Sequence, residues 1–172
     1  MTFGGPSGRY AYVPEHPVIY EYLTVWEHLR LAASTFGMDE AAFAAKAERF
    51  LDKFRLLDVR HELPAKFSKG MRQKLKFVTG FILELDIYIA DEPFIGLDPR
   101  AIRDLLDFLE EERRRGAGIL MATHVLDTAE KICGRFVLMN GGTVAAQGTL
   151  EEVRRISGRE GASLFDCFLA LT

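Results

Sequence analysis

The chain has few of the residues that would announce a metal centre or an oxidised scaffold. It holds only two cysteines, Cys133 and Cys167, in 172 residues. They lack metal-ligand spacing and sit among apolar neighbours, which excludes a zinc knuckle or disulfide framework and reads as reduced, structural thiols. No apolar run approaches the roughly 20 residues of a membrane helix, and the Gly-rich, polar start is unlike a signal peptide. Any membrane connection is therefore expected through a partner. The formal charge is only -3 and bases are scattered among acids, so no electrostatic footprint for nucleic acid exists. No glycine opens a GxxxxGK[ST] pattern, the loop whose amides and lysine cradle phosphates. The stretch Gly4 to Arg9, GGPSGR, has no Lys-Ser/Thr and no strand before it, and does not substitute. Internal repeats and low-complexity linkers are absent too.

What is present is a core and an ordered series of elements. A hydrophobic content of 48% suits one folded domain. Arg9 to Val13 reads as a short strand stopped by Pro14 and Pro17. Thr24 to Phe36 carries Val25, Leu29 and Ala32 or Ala33 at helical spacing behind a Thr24/Glu27 capping box. Asp39 to Phe54 reads as a second helix with Phe50, Leu51, Phe54 and Leu57 as its apolar stripe and Lys46, Glu48, Arg49 and Lys53 as its solvated face. Ser68 N-caps a helix expected to run to about Glu84. The strand Ile87 to Ala90 follows, then a helix from Pro99 to the Arg113–Gly116 stop. Gly118 to Ala122 is an apolar strand, Leu126 to Ile132 a short helix, and Phe136 to Met139 with Val144 to Ala146 a hairpin around Asn140-Gly141-Gly142. Alternating strand and helix predicts an α/β fold with a parallel sheet.

The densest chemical signal is IYIADEPFIGLDP, residues 87 to 99. An apolar strand delivers Asp91 and Glu92 side by side, the arrangement by which nucleotide hydrolases hold a metal and a base. Ser68-Lys69-Gly70-Met71 opens a helix, where free amides and a positive dipole suit a phosphate, although Ser68 also serves as an ordinary cap. His124 follows the strand ending at Ala122; alone, such a histidine is usually structural.

Five blocks in order then carry a resemblance: YVPEHPVIYEYLTVWEHL, FSKGMRQKL, IYIADEPFIGLDP, GILMATHVLDTAEKICGRFVLMNGG and SLFDCFLALT. Across nearly its whole length the chain resembles the C-terminal two-thirds or so of an ABC-transporter ATP-binding subunit, and closely the Ecs-type exporter branch. The resemblance implies a partial P-loop NTPase (ABC-type ATPase) domain, with a helical or coupling segment at about 20–66, a signature, Asp-Glu strand and switch-histidine region at about 67–147, and a helical tail at about 149–172. It implies ATP and Mg2+ as cofactors. Asp91 would support the magnesium ion, Glu92 would polarise the attacking water, and His124 would hydrogen-bond the γ-phosphate. Ser68, Lys69, Gly70 and Met71 stand at the signature, with Lys69 and Met71 departing from Ser-Gly-Gly-Gln, and would close over ATP on an opposite subunit. Asp98, in Gly96-Leu97-Asp98-Pro99, would communicate between the two nucleotide sites of a dimer. Glu15 stands at the Q-loop glutamine; a carboxylate still reaches the metal but adds a negative charge.

The same resemblance places a phosphate loop, further sheet strands and an adenine-stacking aromatic upstream of this sequence. The chain is thus expected to be N-terminally truncated or split, poorly competent alone, and aggregation-prone through uncovered sheet strands. Its partners would be a second ATP-binding subunit and a transporter membrane subunit, contacted through the segment around Tyr20 to Phe54, with no nucleic acid and no direct membrane insertion. Its place would be cytoplasmic, peripheral on the inner membrane face. Tyr20, Tyr22 and Trp26 are either partner-facing anchors or core packing. The alternative function is a non-catalytic interaction module for a transporter or an intact ATPase subunit. A chromosome-maintenance ATPase lobe is disfavoured, because Asp39 to Phe54 is too short for the heptad coiled coil it needs.

Overall fold

The computed structural model describes residues 9–172, so Gly4 to Gly8 of the glycine-rich start lie outside the described residues. Strands β1 (Tyr10–Val13), β2 (Ile87–Asp91) and β3 (Gly118–Ala122) form a parallel sheet in the order β1-β2-β3. Tyr12 pairs with Ile89 and Ile89 with Leu120. Helices α1 (Val25–Ser34), α2 (Glu40–Lys53) and α3 (Lys69–Phe81) come between β1 and β2, and α4 (Pro99–Arg115) between β2 and β3, with single 3₁₀ turns at Leu57–Val59 and Pro64–Lys66. The chain divides into two compact units, the first ending at Ala122 and the second covering Thr123–Thr172. The expected region 67–147 runs across that division.

Local chemistry starts these helices where the sequence says it should. Thr24 and Glu27 close a reciprocal capping box on α1, Asp39 accepts from Ala41 and Ala42 amides at the head of α2, and Asp98 accepts from Ala101 with Pro99 at the first helical position of α4. Helix α4 ends at Gly116, whose φ of 99° lies in the left-handed region that closes helices. Helix α3 ends earlier than its periodicity suggests, at Phe81 rather than near Glu84. The Tyr88 hydroxyl takes over the backbone beyond it, 2.7 Å from Leu83 O and accepting the Leu85 amide at 3.2 Å. Supplied with these partners, the 83–85 segment turns toward β2.

One sheet face is the core of the first unit. Val13, Tyr88 and Ala90 are buried there. Phe81 of α3 and Phe108 of α4 stack at 4.5 Å and both meet the Tyr88 ring edge-on. A Cβ on Gly80 would fall 2.8 Å from Val13 Cγ2, so the glycine lets α3 lie close on β1. The opposite face behaves differently: Tyr12, Ile87 and Leu120 are 55%, 42% and 62% exposed. The solvated face expected for α2 is also partly recruited, since Lys46 pairs with Glu84 at 3.0 Å and Lys53 with Glu111 at 3.3 Å.

The second unit is built from α5 (Leu126–Ile132), the antiparallel hairpin β4 (Phe136–Asn140) and β5 (Thr143–Gly148), α6 (Leu150–Ser157) and α7 (Leu164–Leu171). Gly141 and Gly142 both take positive φ, 55° and 80°, as a two-residue hairpin turn requires. Phe136, Leu138, Val153, Leu164 and Cys167 are its core, and Cys133 packs against them. Both cysteines are free thiols, and burial pushes the Cys133 thiol above its ordinary range.

Candidate functional site

The signature helix and the turn after Glu92 are nested into one another. Ser68 Oγ accepts the Met71 amide at 3.3 Å. Arg72 reaches back to donate to Ala65 O at 3.1 Å and Phe67 O at 3.4 Å, which fixes the approach to Ser68. A Cβ on Gly70 would meet Gly96 O at 3.4 Å, and one on Gly96 would meet Lys69 Cε and Gln73 Cγ at 3.4 Å each. Gly96 itself has a φ of 77°, so this junction depends on two glycines. Lys74 then bridges α3 to the head of α4, its Nζ 3.1 Å from Asp98 Oδ2. The Ala101 amide first, and Lys74 second, hold the Asp98 carboxyl below the usual range.

Glu15, just beyond β1, is tied to the same helix. Glu15 O accepts from Lys76 Nζ at 3.1 Å and from Gln73 Nε2 at 3.4 Å. Both side chains are buried, Gln73 to 3% and Lys76 to 7% exposure. Burial lowers the Lys76 pKa to about 8, while the Asp91 and Glu15 carboxylates pull it back up. A buried ammonium is thus held on a backbone carbonyl within electrostatic reach of two acids. Glu15, Lys69, Arg72, Gln73 and Ile95, with His16 and Pro17, line a cleft of about 360 Å³.

At the end of β2, Asp91 Oδ2 lies 3.4 Å from the Tyr12 hydroxyl. Glu92 is half-buried and donates its amide to Ala122 O at 2.9 Å, extending the parallel ladder. Its φ is 45°, a left-handed conformation unusual for a residue with a side chain. Among the described residues no cluster of three or more His, Cys, Asp or Glu side chains is grouped to hold a metal ion. His124 belongs to the second unit and is exposed.

Of the sequence-identified residues, Glu15, Ser68 to Met71, Asp91, Glu92 and Asp98 all lie on the first unit. Four supporting residues escaped the sequence reading: Tyr12, Gln73, Lys74 and Lys76. Their signal was weak but present, because Gln73 and Lys76 place two polar groups three apart among the apolar positions of α3. The histidines without motif support divide: His16 is exposed, while His28 is buried to 3% exposure.

A parallel sheet whose central strand leads into adjacent carboxylates, beside a capped helix and a Gly-Leu-Asp-Pro turn, is an α/β arrangement of the P-loop NTPase class, as the comparisons with known proteins bear out. The family described as "AAA domain, putative AbiEii toxin, Type IV TA system" matches residues 29–125. The uncharacterized ABC transporter ATP-binding protein YthP of Bacillus subtilis is 54% identical over 92% of this chain and 67% of that protein. The ABC-type transporter ATP-binding protein EcsA of Bacillus subtilis is 43% identical over 98% of this chain and 68% of its own. A solved structure of an ATP binding subunit of an ABC transporter superposes with a TM-score of 0.91 at 49% identity, covering 94% of this chain and 68% of that one. The chain belongs to the ABC transporter ATP-binding protein family, and it spans about two-thirds of the length of these relatives. No helix of the described residues is long and apolar enough to cross a membrane.

Proposed function

We propose that these 172 residues carry the hydrolytic half of an ATPase that powers export through separate membrane subunits, and that the phosphate loop is supplied by polypeptide outside them. The observation that carries this reading is the packing of the Ser68 helix against the Gly96–Asp98 turn that follows Asp91-Glu92 in the first unit, in a sequence with no GxxxxGK[ST] pattern.

The residues fit a magnesium nucleotide. Mg2+ is usually held by one or two carboxylates together with water and substrate phosphates, not by a protein cage, and Asp91 and Glu15 both act on Lys76. Bound Mg2+ supplies charge neutralisation on the phosphate oxygens. Asp91 is assigned to hold it and Glu15 to approach it, with the Lys76 ammonium offsetting the extra negative charge that Glu15 brings. Glu92 is the group that orients and polarises the attacking water. Ser68 and the head of α3 at Lys69, Gly70 and Met71 cap the γ-phosphate of a nucleotide on a second subunit, the Lys69 and Gly70 amides facing it while the Met71 amide is held by Ser68 Oγ. His124 is assigned as a hydrogen-bond partner of a γ-phosphate. Asp98 relays between the two sites. The protein acts at the cytoplasmic membrane face, docked rather than inserted.

ATP binding and Mg2+-dependent turnover should be measured for the chain alone and with a GxxxxGK[ST]-bearing segment of a relative co-expressed. Turnover is expected only in the second case and only with Glu92 intact. Turnover by the chain alone that Glu92→Gln abolishes would overturn the supplied-loop reading; none with a bound, restored loop would overturn the catalytic one.

A further inference from the structure

Lys76 lies on α3 at 7% exposure. Its ammonium donates to Glu15 O at 3.1 Å and sits 4.6 Å from the centre of the Phe77 ring. The same carbonyl already accepts from Gln73 Nε2 at 3.4 Å. An amide therefore ties α3 to the chain beyond β1, and Gly80 already lets the helix lie close on Val13. What Lys76 adds to this tether is a charge. Burying an ammonium costs free energy that a methionine or glutamine in the same place would not.

That charge acts on two acids at one end of the sheet. Val13 pairs with Ala90 in parallel register, so Glu15 and Asp91 leave the same end of neighbouring strands. The Tyr12 hydroxyl, on β1, lies 3.4 Å from Asp91 Oδ2. Burial works against the Lys76 charge, while Asp91 first and Glu15 second work for it. Both acids are half-buried, so a cation arriving from solvent can reach them. Two carboxylates at a strand end attract a divalent cation, but a fixed positive charge behind them repels it and offsets part of that attraction.

We propose that Lys76 is a specificity-determining residue that sets the Asp91 and Glu15 carboxylates against a bare divalent cation, so that the metal is accepted together with the phosphates that carry it. Phosphate oxygens bring the negative charge that a bare ion lacks, and Lys76 attracts them for the same reason that it repels the ion. The lysine thus does more than neutralise Glu15: it makes the two acids discriminate between two chemical forms of one metal. The identity of the incoming complex rests on the function proposed above; the charge balance among Lys76, Asp91 and Glu15 does not.

The test titrates Mn2+ alone, without nucleotide, against the whole chain at neutral pH and low salt, following the loss of the free-ion signal by electron paramagnetic resonance. Wild type is expected to bind weakly and Lys76→Met about tenfold more tightly. Lys76→Gln, which keeps a hydrogen-bond donor but no charge, should gain as Lys76→Met does. Adding Asp91→Asn to Lys76→Met should return the affinity to within about threefold of wild type, which localises the gain. A purely structural lysine predicts the reverse, because loosening α3 would weaken binding or leave it unchanged. Equal affinity in wild type and the neutral variants, or a gain that survives Asp91→Asn, would overturn the proposal. So would wild-type binding in the micromolar range that Asp91→Asn abolishes, an outcome that needs no Lys76 variant to fold. No measurement involves turnover, so a negative result leaves the ATPase reading to the Glu92 experiment, and failure there leaves the Mn2+ result standing.

Discussion

The ammonium of Lys74 lies 3.1 Å from the carboxylate of Asp98, so the helix opened by Ser68 is ionically joined to the head of α4. Asp98 also accepts the Ala101 amide at 2.8 Å. The residue proposed to relay between sites is therefore already a structural cap, and the two roles are separable. Asp98→Ala removes the cap and the ion pair and should cost about 1 kcal/mol, most of it from the cap because the carboxylate is half exposed. Asp98→Asn should recover most of that loss. Because the Asp98 carboxyl is held below its ordinary range, its contribution is present above the unfolded pKa and fades as pH falls through the folded one. Urea unfolding of the three proteins at neutral and acid pH checks both points; an Asn variant as unstable as the Ala variant would put the weight on charge.

Lys76 gives a pH dependence of opposite sense. Its folded pKa of about 8 lies below the ordinary value of 10.5, so between these the unfolded chain binds more protons and stability should rise with pH. Below the folded value the cost of burying the ammonium is fully present. The difference in urea midpoint between wild type and Lys76→Met isolates this residue from other titrations. That difference should shift in favour of wild type between pH 8 and 10; a flat difference would mean the ammonium is well solvated.

Glu92 carries backbone strain as well as chemistry. Its φ of 45° is a conformation glycine adopts freely and other residues at a cost of about 1 kcal/mol. Glu92→Gly should raise the melting temperature by about 2–4 °C, whereas Glu92→Gln, with the same backbone restriction, should leave it unchanged. A lower midpoint for the glycine variant would show that the carboxylate's own contacts outweigh the strain.

The two sheet faces should respond differently to truncation. Leu120, 62% exposed on the open face, is expected to change stability by less than about 0.5 kcal/mol on replacement by Ser, while lowering the fluorescence of a bound hydrophobic dye. Leu105, fully buried in α4, should cost about 2–5 kcal/mol as Leu105→Ala. Parallel sheets are normally covered on both faces, so Leu120→Lys should also impair rescue by a co-expressed loop-bearing segment. Rescue at wild-type level would mean that the segment docks elsewhere.

Gly148 lies at a tight approach in the second unit. Gly148 has a φ of 143°, and a Cβ there would lie 2.8 Å from Glu152 Cβ. That closeness follows from the capping box in which Glu152 Oε2 accepts the Thr149 amide at 2.7 Å. Gly148→Ala should destabilise by about 1–3 kcal/mol, read as faster amide exchange in Thr143–Gly148 and α6.

Local chemistry was legible in the sequence. Ser68, Asp98, Thr24 with Glu27, Pro99 and Gly116 each act within about four residues of themselves, so helix starts and stops follow from residue type and spacing. The placement of Asp91 and Glu92 was equally plain, because an apolar run followed by two acids reads as a strand and its end, and β2 closes at Asp91. The tertiary structure alone decided which distant groups meet. Gln73 and Lys76 clamp a carbonyl 58 and 61 residues away, Tyr88 ends α3 early, and of three aromatics near α1 only Tyr20 and Tyr22 face out. Periodicity says which side of a helix is buried, but not what it is buried against. For a lysine, that neighbour determines whether it is a solvated charge or an internal counter-ion.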